Sequence, residues 1–455
     1  MVIATEMLRD LPDRRDLPAL ALLALACVFL YADQNLMAPN LSAIATEFGF
    51  DAVERDVKLG GHIALAYWLL GGGVTLVVGW MTDRLPRRGL FVAVLLLGEI
   101  PCLLTGFVQS YEQLFWCRAL TGVGLGGALP LAFSMVSDWF PAKNRPAACA
   151  VLGFSMGLGM GMGQFLSGMV GPSLGWRLPF ILVALPNLLL AGVFWWVARE
   201  PARGRSEDAL RELVQAGHAY TGRIDWARYR EIFRVPTNRL VLAQALLGSL
   251  PWGVFFVFMT DFYAQDKGFG VQRGTIVVMA SGITVLLGGL AGGFLGAWLY
   301  QRKPRYLPML CAVTTTVGVL PTAWLINYPS QVGVEQPGLL LPVIASLACG
   351  LFIGVTGPNI RAVLLDSNPP EVRGSVVSLY TLCNDLGMGL GPVVVAALVA
   401  WQGRLVALNL ANGLWLVAGV VLFAVVRAFP RDERLMQQRL AAIGAGVRAG
   451  SPPEP

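Results

Sequence analysis

RALTGVGLGGALPLAFSMVSDWFPAKNRPAACAVLGFSMGLGMGMGQFLSG, residues 118–168, decides the architecture, because the chain writes much of it twice. Read 228 residues further on, Pro130 meets Pro358, Asp138 meets Asp366, Pro141 meets Pro369 and Arg145 meets Arg373. Gly159, Gly161 and Gly163 meet Gly387, Gly389 and Gly391. Seven coincidences at one offset, with no gap, imply two similar halves. In an apolar chain that is the mark of a membrane protein built from an internal repeat. Arg118 does not recur. The repeated residues are therefore expected to be shared scaffold and gate, and the unrepeated arginine to carry chemistry.

Composition points the same way. Of 455 residues, 55% are hydrophobic and 14% charged, where a soluble protein carries about 25% charged residues. The apolar residues fall into twelve blocks, each long enough to cross about 30 Å of hydrocarbon. They run over 17–38, 59–81, 89–109, 112–136, 147–170, 178–198, 239–262, 275–300, 306–327, 338–363, 374–400 and 405–427. Period-two alternation is absent, so the blocks are expected to be helices and not barrel strands. The expected fold is an all-α membrane protein with twelve transmembrane helices in two pseudo-symmetric six-helix bundles. The divisions are a cytoplasmic N-terminus (1–16), a first bundle (17–198), a linker (199–238), a second bundle (239–427) and a cytoplasmic tail (428–455). In the linker, IDWARYREIFR sets Trp226, Tyr229 and Phe233 among arginines, as suits a helix lying on a membrane face. RDERLMQQRL in the tail reads as a separate short surface helix, and the final GSPPEP as disordered.

Charge sets the expected orientation. With both termini in the cytoplasm, 26 Lys and Arg residues lie on the cytoplasmic side and 6 on the other. That bias is what the positive-inside rule demands, so the net charge of +6 is a topology signal, not a nucleic-acid footprint. The polar opening, MVIATEMLRDLPDRRD, lacks signal-peptide character. All seven cysteines fall inside apolar blocks without close pairing, and read as small core residues rather than disulfides or metal ligands. No cofactor is expected. Gly153-Phe-Ser155-Met-Gly157 fits a nucleophile-elbow pattern, but that motif needs a strand-to-helix turn and a histidine partner. Here it lies inside an apolar block, and the chain has only His62 and His218. An enzyme is not expected.

Charges inside the bilayer are costly, and each one is a functional candidate. Asp33 and Arg118 lie at comparable depth below the outer surface on the first and fourth blocks and can pair. If that pair opens when Asp33 takes a proton, protonation is coupled to conformation. Glu99 lies near mid-bilayer on the third block. In the second half, Arg361 lies near the cytoplasmic end of the tenth block, and Asn384-Asp385 sits near mid-bilayer on the eleventh.

The second block ends GWMTDRLPRRG. Gly79, Asp83, Arg84, Arg87 and Arg88 resemble the loop 2–3 signature of the major facilitator superfamily, with Pro86 where that family usually has glycine. A second copy, GGFLGAWLYQRK, has Ala297 in place of the acid. Arg118 followed by Gly122 and Gly124 is similar to the family's helix 4 motif associated with proton transfer. Tyr31-Ala-Asp33-Gln34, Asp138-Trp-Phe-Pro141 with Arg145, Gly175-Trp-Arg177 and Glu200-Pro201 look like the spinster-like branch, as does GPNIRAVLLDSNPPEVRG. Gln34 and Leu125 depart from that branch, which commonly has Arg and an acid at those places.

The resemblance implies a secondary transporter working by alternating access. Asp33, Arg118 and Glu99 would couple protons. Tyr31, Asn35, Asn384, Asp385 and Arg361 would contact substrate. Asp83, Arg84, Arg87, Arg88, Asp138 and Arg145, with Asp366 and Arg373, would form the cytoplasmic gate. The branch implies an amphiphilic substrate such as a lysophospholipid or sphingolipid-like molecule. The alternative is an organic anion or drug, with Arg118 or Arg361 as the anchor of an anion; a remoter one is a transport-dead sensor. The expected partners are that small molecule, protons and membrane lipids. The chain is expected to be a monomer in a bacterial inner membrane.

Overall fold

A computed structural model describes residues 16–82, 84–140, 144–200, 232–369 and 372–448. Among these, twelve helices are long and apolar enough to span a bilayer. In chain order they are α1 (Asp16–Asp33), α2 (Ile63–Thr82), α3 (Arg87–Thr105), α4 (Tyr111–Trp139), α5 (Arg145–Leu174) and α6 (Leu178–Val197). They continue as α7 (Pro236–Gln265), α8 (Gly270–Arg302), α9 (Tyr306–Asn327), α10 (Leu340–Gly354, resuming as Thr356–Asp366), α11 (Arg373–Gln402) and α12 (Arg404–Arg448).

The chain separates into two compact units. The first holds the described residues up to Glu200 with Phe256–Gln265 and Gly270–Thr275; the second holds residues 232–255, Asp266–Phe269 and the described chain from Ile276. Each has its own apolar core. Leu23, Phe91, Leu131 and Phe194 anchor the first, and Val241, Cys311, Leu364 and Phe429 the second. Large side chains such as Leu189 and Trp196 in one, and Phe294 and Val420 in the other, are exposed, as a lipid-facing surface requires.

The repeat is visible in the helices themselves. α5 and α11 have the same length and the same 228-residue offset, and each ends on a glycine with positive φ, Gly175 (93°) and Gly403 (81°). Only glycine adopts that conformation without strain, so it closes both helices. Close approaches repeat too. A Cβ on Gly122 or Gly126 of α4 would overlap the carbonyls of Tyr67 and Gly71 on α2; on Gly350 and Gly354 of α10 it would overlap those of Ser281 and Val285 on α8. Position 346, at the offset of Arg118, is Ser346, whose hydroxyl donates to the Val277 carbonyl at 2.5 Å.

One difference between the halves has a local cause. Pro130 has no N–H, so it leaves the Gly126 carbonyl without its helical donor. Thr75 Oγ1 on α2 supplies a replacement at 2.8 Å, and α4 runs on unbroken. Pro358 likewise frees the Gly354 carbonyl, but the residue corresponding to Thr75 on α8 is Gly289, and α10 breaks at Val355.

Two expectations need correction. The first block, 17–38, is not one helix: α1 ends at Asp33, and Ala38–Asn40, Leu41–Glu47 and Ala52–Glu54 form short helical pieces before a π-helical segment, Arg55–His62, leads into α2. Asp51 and Glu54 form a reciprocal cap there, at 2.7 and 3.3 Å. RDERLMQQRL is no separate helix: α12 continues through it, because Asp432 and Glu433 find partners on the second unit. Asp432 accepts from the Thr237 backbone N–H (2.9 Å) and hydroxyl (2.7 Å), capping the start of α7, and Glu433 accepts from the Tyr300 hydroxyl. The glycines of α5 form two ladders at a spacing of four, and one of them packs tightly. Gly159 and Gly163 face the Val28 and Ala32 carbonyls of α1, whereas Gly153 and Gly161 face open space. The linker segment IDWARYREIFR, apart from its last three residues, and the final GSPPEP lie outside the described residues.

Candidate functional site

The first unit encloses a cluster built from five helices. α1 ends at Asp33, whose carbonyl then accepts a long turn bond from the Leu36 N–H, at 3.3 Å, while its carboxylate turns inward. Arg118 on α4 serves both: Nη1 donates to Asp33 Oδ1 at 2.6 Å and Nη2 to the Asp33 carbonyl at 3.1 Å. Asp33 is 0% exposed and Arg118 2%. The guanidinium lies between two rings, 5.5 Å from the Tyr67 centroid on α2 and 5.3 Å from that of Phe180 on α6. An arginine is suited to such a place, since its flat, weakly hydrated cation stacks on aromatic faces while its fork binds carboxylate.

Glu99 on α3 is also 0% exposed. Outer helices of this kind of bundle often face lipid, which would put Glu99 on the rim. Instead it faces inward, beside the Asp33–Arg118 pair and within electrostatic reach of both. Its bonded partner is Asn187 on α6, whose Nδ2 donates to Glu99 Oε1 at 2.6 Å and to the Ala26 carbonyl of α1 at 3.2 Å. Cys102, one turn along α3, donates its thiol to the Phe180 carbonyl at 3.8 Å. Close packing here depends on Gly98 and Gly124, whose Cα atoms bring α3 and α4 together. Asn187 is not among the residues expected from the sequence. A polar residue in the middle of an otherwise apolar block, LPFILVALPNLLLAGVFWWV, was the available signal.

The other expected residues fall in separate places. In the first unit Tyr31 is buried near Gly159, and Asn35 Nδ2 reaches the Met160 carbonyl at 3.4 Å. In the second unit Asn384 accepts from Ser249 Oγ at 2.6 Å, Asp385 beside it is half-buried, and Arg361 is exposed. Among the described residues no carboxylate is ion-paired with Arg361.

Of the expected gate, Asp83 lies outside the described residues, and so does the side chain of Arg145. Asp138 pairs with Arg87, which also donates to Ser134 Oγ at 3.0 Å. Glu200 was noted only as part of a branch motif, yet it organises this end. Its two carboxylate oxygens accept the backbone N–H groups of Arg87 (2.7 Å) and Arg88 (2.8 Å), capping α3 where Pro86 starts it. Arg84 and Arg88 stack on Trp80 and Trp195, at 4.0 and 4.4 Å. In the second unit Arg373 donates to the Leu365 and Asn368 carbonyls, and Asp366 lies near Tyr300 and Glu433. Arg55 was counted only for topology. In the first unit it bonds Asp56 (2.9 Å) and Ser42 Oγ (2.9 Å) and faces Asp261, 3.6 Å away.

No group of three or more potential metal ligands occurs among the described residues, and all seven cysteines are free. Twelve apolar helices, a repeated helix-packing scheme and a buried acid–arginine cluster define a multi-pass membrane protein. The Major Facilitator Superfamily profile matches residues 23–392, and the chain belongs to that superfamily. Among proteins of known role it is similar to the cis,cis-muconate transport protein of Acinetobacter baylyi, at 24% identity over 86% of this chain and 89% of that one. It is also similar to the hexuronate transporter of Bacillus subtilis, at 24% identity over 90% and 94%. Among solved structures it resembles a bacterial homolog to the human lysosomal transporter Spinster in an inward-facing, unoccupied conformation. The TM-score is 0.77 and the identity 18%, over 92% of this chain and 98% of that one. A D-xylose–proton symporter gives a TM-score of 0.71 at 14% identity, over 90% and 98%.

Proposed function

We propose that this secondary transporter moves a small organic anion, coupled to protons through Asp33, Arg118 and Glu99. The observation that carries the substrate class is the contrast between its two intramembrane arginines. Arg118 is buried and already neutralised by Asp33, so it serves coupling. Arg361 is exposed and has no ion-paired carboxylate among the described residues, so it is the cation available to a substrate carboxylate. Asn384 and Asp385, in the same unit as Arg361, are proposed as further substrate contacts, and Tyr31 and Asn35 as the contacts that the first unit offers. The named relatives include carriers of muconate and hexuronate, both carboxylates. A proton on Asp33 would remove the partner of Arg118, and the freed cation would favour a different arrangement of α1 and α4.

The second reading is an amphiphile such as a lysophospholipid or sphingolipid-like molecule. It rests on the spinster-like motifs and on the likeness to the Spinster homolog fold. On either reading Arg87, Arg88 and Asp138 work at the end of the first unit where α2 meets α3, and Asp366 and Arg373 at the end of the second where α10 meets α11; we place these ends and both termini on the cytoplasmic side of a bacterial inner membrane.

Proteoliposomes separate these readings. Uptake of labelled cis,cis-muconate and gallate, driven by an inward proton gradient, is expected, with Arg361→Gln losing it and Asp33→Asn losing only the response to the gradient. Uptake of lysophosphatidylcholine or sphingosine with no carboxylate uptake would replace the first reading by the second. Carboxylate uptake untouched by Arg361→Gln would remove Arg361 from the site.

A further inference from the structure

We propose that the buried cluster stores one proton on Glu99 Oε2, and that Asn187 is the positioning residue that lets Glu99 pass it to Asp33. This rests on the proton-coupled reading above and assigns the proton within it. The argument begins with charge balance. The titratable and charged groups that meet here are Asp33 and Tyr31 from α1, Tyr67 from α2, Glu99 and Cys102 from α3, and Arg118 from α4; α6 adds the neutral Asn187. They contain one fixed cation and two carboxyl groups. Arg118 gives its bonds to the carboxylate and carbonyl of Asp33. Glu99, 0% exposed, receives among the described residues no bond from a cation, only the amide of Asn187. A second unpaired charge is what a dry interior tolerates least, and one proton shared by two acids removes it. Asp33 holds the cation, so the proton belongs on Glu99.

The geometry also fixes which oxygen carries it. The Ala26 carbonyl can only accept, so the atom of Asn187 that approaches it must be Nδ2, and the same Nδ2 faces Glu99 Oε1. Oε1 is therefore the accepting oxygen and Oε2 the protonated one. Glu99 Oε2 and Asp33 Oδ2 are both buried without a hydrogen-bond partner among the described residues. They are the matched donor and acceptor of the transfer. The O–H bond at Glu99 Oε2 breaks and one forms at Asp33 Oδ2. Asp33 becomes neutral and Arg118 loses its counter-charge. Glu99 becomes a carboxylate held by an Asn187 bond that strengthens when its acceptor is charged. The net charge of the cluster does not change. The pair that locks α1 to α4 is thus opened by an internal step, although neither acid is exposed.

Infrared spectroscopy in phosphatidylcholine–phosphatidylglycerol nanodiscs at pH 7 tests this without a substrate. A protonated-carboxyl C=O band that shifts in D₂O is expected from the unmodified chain. Carbon-13 glutamate should move it and carbon-13 aspartate should not. Glu99→Gln should remove it, and so should Asp33→Asn, because Glu99 is then the acid of the cluster left to balance Arg118. Asn187→Leu should shift it to higher wavenumber, since the carbonyl loses its donor, and Asn187→Gln should shift it back. A band absent from the unmodified chain, insensitive to glutamate labelling, or unmoved by Asn187→Leu overturns the assignment. Isotope labelling needs no substitution, so a variant that fails to fold leaves the test intact. Proton-driven uptake without a Glu99 band would refute only this assignment; a Glu99 band without proton-driven uptake would refute the coupling it serves.

Discussion

Replacing Arg118 by leucine isolates the energetics of the cluster. The substitution leaves the Asp33 carboxylate 0% exposed and without its cation. Removing one partner of a buried ion pair costs about 3–5 kcal/mol. The carboxylate has one escape, which is to take a proton. An ordinary aspartate titrates near 3.9, and each pH unit is worth about 1.36 kcal/mol, so neutralising it at pH 7 costs about 4 kcal/mol. The loss should therefore be about 4 kcal/mol at pH 7. In the variant the folded state holds a proton that the unfolded state lacks, so stability rises as pH falls. The loss should shrink to about 3 kcal/mol at pH 6 and about 1.5 kcal/mol at pH 5. Asp33→Asn combined with Arg118→Leu has no charge to strand and should regain most of the deficit. Equilibrium unfolding in mixed micelles at the three pH values measures all of this. A loss that does not change with pH, or a double variant no better than Arg118→Leu alone, would refute the account of a buried pair held by its own charge.

Other parts of the structure give simpler tests. Glu200→Gln weakens the cap on α3 and the contact with Arg87, and should lower stability by about 1–2 kcal/mol in thermal unfolding. Thr75→Val leaves the Gly126 carbonyl without a donor and should cost about 1–3 kcal/mol, whereas Gly289→Thr, placed to meet the Gly354 carbonyl, should protect the α10 amides in hydrogen exchange. Gly163→Ala drives a methyl into the Ala32 carbonyl and should cost about 1–3 kcal/mol, while Gly161→Ala, facing open space, should stay within about 0.5 kcal/mol.

The spans were legible because hydrophobic length is a local property. Twenty apolar residues declare a crossing wherever they fold, and all twelve blocks became helices. The duplication was legible too, since α5 and α11 keep their 228-residue register to the last residue. Helix ends were less so. Nothing near RDERLMQQRL announces that Asp432 will cap α7, because its partner Thr237 lies 195 residues away. Glu200 looked like a motif residue until its carboxylate met the start of α3, 113 residues earlier.

Within the candidate site, sequence determined the inventory: one arginine, two acids and an asparagine placed in apolar blocks where solvation is scarce. Depth alone brought Asp33 and Arg118 to the same level. Rotation about each helix axis decided the rest. Both glycine ladders of α5 have the spacing for close packing, and only tertiary structure chose Gly159 and Gly163 to meet α1. Glu99 could have faced lipid, but the Gly98–Gly124 contact turns α3 inward and delivers it to Asn187, 88 residues along the chain. A helix encodes its own period and length; which of its faces meets a neighbour is settled by the packing of all the helices in its unit at once.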